Sequence, residues 1–135
     1  MAFFDWDTGL ETGLGVIDDQ HRKLVGFVNE LHEAMRNRTG REAVGAVLDE
    51  LAKYAVYHFS TEEKAFERYG YERKDAHIKI HADFVARVVD MQAAYKRGDL
   101  TVTVDTLSFL IDWVKKHIMV EDMLYVPSLT GKAID

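Results

Sequence analysis

Two pairs of metal-ligating side chains sit at helical spacing in the sequence, His58 with Glu62 and His77 with His81. Residues four apart in an α-helix differ by about 40° around the axis, so each pair shares one face, one turn apart. Such a pair can grip one metal ion or two adjacent ones. His21 and His117 fall in stripes of the same kind, so that each of four apolar stripes carries at least one histidine. A lone histidine in a stripe is ordinarily a satisfied core or surface residue. Five of them with a glutamate are different, because an unpaired buried carboxylate costs several kcal/mol and a cation removes that cost.

The ligand types narrow the metal. Imidazoles with a few carboxylates suit iron, zinc or copper better than calcium or magnesium. Five histidines exceed what one tetrahedral zinc takes. His77 and His81 bracket Ile78-Lys79-Ile80, so the His-Glu-x-x-His signature of metalloproteases is missing. Glu-x-x-His, which ferritin-like di-iron proteins use, occurs nowhere in the chain. A histidine-rich, carboxylate-poor dinuclear site is the better reading. The sixth histidine, His32, lies about 16 Å along the helix from His21 and reads as structural or surface.

The elements that must position these ligands are helices. The chain has 135 residues, a single proline (Pro127) and no cysteine. Without cysteine there is no disulfide framework, thiolate zinc site, cysteine-ligated iron–sulfur cluster or cysteine nucleophile. A net charge of −6 disfavours nucleic acid and anionic membrane as partners. No apolar run approaches transmembrane length and the N-terminus has no signal-peptide pattern, so the expected compartment is cytoplasmic.

Gly40, Gly70 and Gly98 divide the chain where helix C-termini would want a left-handed residue. Between them run Leu24, Val25, Val28 and Leu31; Val44, Leu48, Leu51 and Phe66; Phe84, Val88, Met91 and Tyr95; and Leu107, Leu110 and Val114, all at helical spacing. The expected fold is all-α, an up-down-up-down four-helix bundle in one domain over 1–135, with helices at about 19–38, 41–69, 73–97 and 102–123. Asp18 or Asp19 should cap the first helix and Thr101 or Thr103 the fourth. An N-terminal arm, 1–18, should lay Phe3, Phe4 and Trp6 on the bundle.

With the ligands placed, the chain resembles the hemerythrin family, in particular its single-domain bacterial members, the bacteriohemerythrins. The resemblance covers nearly the whole chain: Trp6-Asp7 and Ile17-Asp18-Asp19-Gln20-His21-Arg22-Lys23-Leu24, then His58-Phe59-Ser60-Thr61-Glu62, then His77-x-x-x-His81, then His117-Ile118-x-x-x-Asp122-x-x-Tyr125. It implies a non-haem centre of two iron ions. His77, His81 and His117 would hold one iron and His21 and His58 the other. Glu62 and Asp122 would bridge them together with an oxo or hydroxo group. These ligands leave one position of two octahedral irons open, on the side with two histidines, and a single open position suits dioxygen.

Asp122 conflicts with simple geometry. Four residues on from His117 is Glu121, while Asp122 is about 140° round an ideal helix. Asp122 follows the family pattern, and the conflict predicts a π-type distortion or a helix end near residue 120. The resemblance also implies an O2 pocket lined by Leu24, Phe59, Trp113, Val114 and Ile118. The residue after the tryptophan is often leucine in the family, so Val114 leaves extra room.

The expected function is reversible O2 binding for carriage, storage or delivery, without enzymatic turnover. The expected partners are dioxygen and an O2-consuming enzyme that receives it, with the chain as a monomer. The alternatives are an O2 or redox sensing module that acts through a separate partner, and a di-iron enzyme that handles peroxide or nitric oxide.

Overall fold

The computed structural model describes residues 4–6, 8–36, 41–98 and 102–134, with the side chains of 41–43 and 102–105 outside that set. A 3-10 turn, Thr8–Leu10, precedes α1 (Gly15–Arg36), α2 (Arg41–Tyr69), α3 (Lys74–Lys96) and α4 (Val102–Lys116). A π-helical turn, His117–Asp122, joins α4 to α5 (Met123–Leu129), so the fourth rod runs from 102 to 129. Among the described residues there is no strand. α1 packs on α2, α2 on α3, α3 on α4, and α4 closes back on α1. The architecture is the expected four-helix bundle.

The helix ends follow from local chemistry. α2 stops at Gly70, whose φ of 67° only glycine adopts freely. The Tyr71 N–H reaches back to the Phe66 carbonyl at 3.0 Å, and the two rings meet at 4.9 Å. This is a Schellman ending with its apolar contact.

Both ends of the expected helix set shift. α1 begins at Gly15, four residues before 19, because Gly13 (φ 82°) turns the chain and the Leu14 carbonyl accepts the Asp18 N–H at 2.8 Å. Asp18 is therefore not the N-cap. It lies in the first turn, where its carboxylate accepts the Thr12 and Gly13 N–H groups (2.8 and 3.1 Å) and the Thr12 hydroxyl (2.8 Å). The fourth rod extends to Leu129, beyond the expected 123, because the π turn carries the chain onward into α5. Thr103 lies inside α4; Thr101 and Gly40 fall outside the described residues.

In the arm, Phe4 is 4% exposed and its backbone exchanges two hydrogen bonds with the Asn29 side chain, at 2.7 and 2.9 Å. Trp6 is half-buried beneath the Arg22 guanidinium, 4.8 Å from the ring centroid. Phe3 lies outside the described residues. The core divides into two apolar clusters. The larger holds Leu24, Leu31, Leu51, Phe59, Phe84, Leu110 and Ile118. The smaller holds Ile17, Phe66, Tyr71, Tyr125 and Leu129. The buried histidines lie between them: His81 and His117 meet Phe59 and Trp113 on one side, and His77 meets Phe66 and Tyr125 on the other.

Candidate metal centre

α1 supplies His21, α2 His58 and Glu62, α3 His77 and His81, and the π turn His117 and Asp122. None of the seven is more than 5% exposed. Glu62, His77, His81, His117 and Asp122 bring one ligand atom each within 4.8 Å of one another, and so do His21, His58, Glu62 and Asp122. The two groups share both carboxylates. His32, half-buried further along α1, belongs to neither.

The Asp122 oxygens divide between the two groups. Oδ1 lies 3.1 Å from His77 Nε2 and 3.0 Å from His117 Nε2, while Oδ2 lies 3.0 Å from His21 Nε2. Oε1 of Glu62 lies 3.2 Å from His58 Nε2 and 3.3 Å from His81 Nε2. Despite these distances, the Nε2 atoms of all five histidines, Glu62 Oε1 and both Asp122 oxygens make no hydrogen bond and are buried. Orphaned buried polar atoms are costly. Here they converge, with the donor types that iron takes. The residues fit a pair of metal ions that share two carboxylates.

Asp122 reaches this position because the fourth rod makes a π turn over His117–Asp122. An i→i+5 turn brings the fifth residue over the first, where a regular helix would bring the fourth. Asp122 is accordingly buried beside His117. Glu121 points outward, half-buried, with Arg73 3.6 Å away.

The electrostatics agree with this arrangement. Burial alone would raise the Asp122 carboxyl, but the His117, His21 and His77 imidazoles hold it well below the usual carboxylate range. Burial and Asp122 both push Glu62 up, and His58 and His81 together bring it below its ordinary value. Burial would lower His117, but Asp122 opposite outweighs it and the imidazole titrates above its ordinary value.

Three residues around the ligands carry no role in the sequence reading, although each lies within or beside a quoted motif. The Gln20 side-chain oxygen accepts from His58 Nδ1 at 2.7 Å, and its amide donates to Thr61 at 3.2 Å. The Glu63 carboxylate accepts from His81 Nδ1 at 2.8 Å. The Tyr125 hydroxyl donates to Glu62 Oε2, and burial against Glu62 drives the phenol well above its ordinary range. Their signal was adjacency to a ligand (Gln20 before His21, Glu63 after Glu62) or one further helical step (Tyr125).

Leu24, Phe59, Val114 and Ile118 are buried and Trp113 is half-buried, all in the larger apolar cluster. Phe59 stacks on His81 (3.8 Å, 11°) and Trp113 on His117 (4.2 Å, 12°). These two rings therefore lie flat against the group with three histidines, although Phe59 also meets His58 at 5.8 Å. A groove of about 760 Å³ between α3 and α4 reaches Trp113 and His117. Another of about 650 Å³ between α2 and α3 reaches Phe59, Glu63 and His81.

Residues 12–129 match the hemerythrin HHE cation binding domain. The chain belongs to the hemerythrin family. It is similar to a bacteriohemerythrin of Methylococcus capsulatus, 35% identical over 97% of this chain and all of that one. It is equally similar to one of Pseudomonas aeruginosa, 35% identical over 96% of this chain and 83% of the relative. A solved wild-type hemerythrin, 34% identical, superposes with a TM-score of 0.89 over 96% of this chain and all of its own. The hemerythrin domain binds a di-iron centre, and its members are typically non-enzymatic binders of oxygen. No helix among the described residues is long and apolar enough to cross a membrane.

Proposed function

We propose that this hemerythrin-family chain binds dioxygen reversibly at two irons, for carriage, storage or delivery to an O2-consuming enzyme in the cytoplasm, as a monomer and without turnover. His77, His81 and His117 would hold one iron, His21 and His58 the other, and Glu62 and Asp122 both. The observation that carries this reading is the sharing of two buried carboxylates by two histidine groups of unequal size. A bound ferrous pair would supply two electrons, one from each iron.

The protein's own residues do the rest. The bundle holds five imidazoles from four segments with their Nε2 atoms converging. Gln20 and Glu63 fix His58 and His81 by accepting from Nδ1, which leaves Nε2 as the ligand atom. Tyr125 holds the outer oxygen of Glu62. Leu24, Phe59, Val114 and Ile118 are buried in the apolar cluster and supply the apolar wall of the site.

The test is spectroscopic. Reduced, iron-loaded protein is prepared without air, exposed to O2 and then stripped of O2. The expected result is a visible absorption band that appears and then reverses over several cycles. Irreversible oxidation in a single cycle would point to redox or enzymatic use, and no spectral change would leave the metal purely structural.

A further inference from the structure

The hydrogen bonds behind the ligands are unequal. His81 Nδ1 faces the Glu63 carboxylate at 2.8 Å, whereas His58 Nδ1 faces the neutral Gln20 amide oxygen at 2.7 Å. His21 Nδ1 and His117 Nδ1 are buried without a hydrogen-bond partner. One imidazole of the three-histidine group thus has an anionic acceptor behind it, and the two-histidine group has only a neutral one. A carboxylate can only accept, so His81 Nδ1 carries the proton and Nε2 faces the shared carboxylates, 3.3 Å from Glu62 Oε1.

We propose that Glu63 is a positioning residue that makes the three-histidine iron the electron-richer of the two, by orienting His81 and strengthening its donation to the metal. This deepens the di-iron reading above and rests on it. A carboxylate behind a ligating imidazole fixes the ring and increases what the ligand gives to the metal, which favours the ferric over the ferrous state. Glu63 is well placed for this. It sits on α2 one residue after the shared Glu62, so the same helical turn that presents Glu62 inward sends Glu63 sideways to α3. Its side chain is one-third exposed in the 650 Å³ groove, which spares it the full cost of burying a charge.

The test compares iron-loaded wild type with Glu63→Gln, which keeps an acceptor oxygen and removes the charge. Glu67→Gln serves as the control for net charge: Glu67 lies one helical turn along α2, exposed and engaged by Lys74 at 2.6 Å. Both variants and wild type should retain two irons per chain. Spectroelectrochemistry should show Glu63→Gln reduced about tenfold more favourably, about 59 mV for a one-electron couple, with Glu67→Gln unchanged. Glu63→Ala, which loses the acceptor altogether, should hold iron about 10- to 100-fold more weakly in competition with a chelator.

A Glu63→Gln potential equal to wild type, or a shift that Glu67→Gln reproduces, overturns the proposal. If Glu63→Gln fails to hold iron, Glu63→Asp decides: two irons at the wild-type potential support the charged acceptor, and loss in both overturns it. Wild type that binds fewer than two irons would refute the di-iron reading itself, whatever the variants do.

Discussion

α2 and α3 present their candidate ligands differently from the fourth rod. His58 and Glu62, and likewise His77 and His81, are four apart on regular α-helix. Their alignment comes with the helix and needs no distortion. His117 and Asp122 are five apart, and the chain departs from α geometry over the six residues His117–Asp122 to align them. The contrast teaches that the fourth rod brings its two groups together only by leaving α geometry. With α pitch, Glu121 would stand where Asp122 does, and a glutamate's extra methylene would displace its oxygens. The departure from α pitch brings a short aspartate whose two oxygens face different histidine groups.

The largest effect should come from Asp122→Asn. Removing one charge from the carboxylate that both groups share should lower bound iron from two per chain to one or none, as metal analysis of purified protein would read. Glu121→Gln, on the outward side of the same turn, should keep two irons and change stability by no more than about 0.5 kcal/mol. Equal iron loss in both variants would break the contrast.

The next effect is on stability against pH. The Glu62 and Asp122 carboxyls are depressed in the fold, so their contribution is present above the ordinary carboxylate range, near pH 4, and is lost as pH falls. His117 is raised, so its contribution is present below about pH 6.5 and is lost as pH rises through its higher folded value. Metal-free protein should therefore melt highest at mildly acid pH. Bound metal takes the place of the imidazole proton and is itself released by acid. The gap in Tm between loaded and metal-free protein should widen from pH 6 to pH 9 and close below about pH 4. A constant gap would mean that the metal does not replace the proton.

A smaller effect isolates the π turn itself. Val120 is 57% exposed, and its deletion leaves Asp122 four residues after His117. The turn should relax to regular α-helix with the aspartate still beside the histidine. Circular dichroism and metal analysis should show a folded protein with two irons. Loss of iron would mean that the π geometry is needed in its own right and does more than correct spacing.

The bundle and the clustering of its histidines were legible because helix period and residue spacing are local. The π turn could be expected only because the family resemblance implies Asp122, whereas helix spacing alone points to Glu121. The start of α1 was not legible. Asp18 has the type and position of a cap, but its carboxylate is claimed by Thr12 and Gly13, and Gly13 turns the chain early. The outer hydrogen bonds were equally hidden. That Gln20 stands behind His58, 38 residues away, depends on how α1 and α2 pack. No spacing rule gives that pairing. Helix spacing already puts Glu62 on the face of His58, but only the position of α3 shows that Glu63, one step on, meets the back of His81.

The smallest expected effect concerns the α4 side of the contrast just before the π turn. Val114, 4% exposed, belongs to the same apolar cluster as Phe59, Leu24 and Ile118, and it follows the Trp113 ring that stacks on His117. A leucine there adds one methylene to a wall that separates the ligands from solvent, at a cost in a packed core of about 1–3 kcal/mol if it does not fit. If the valine leaves room beside the ligands, water and small anions can enter, and Val114→Leu should slow autoxidation of the oxygenated protein about two- to fivefold while retaining two irons. An equal or faster rate in the leucine variant, timed by the decay of the visible band in air, would show that the wall is already closed at Val114. Solvent would then have to reach the ligands by way of the grooves at Trp113 or Glu63.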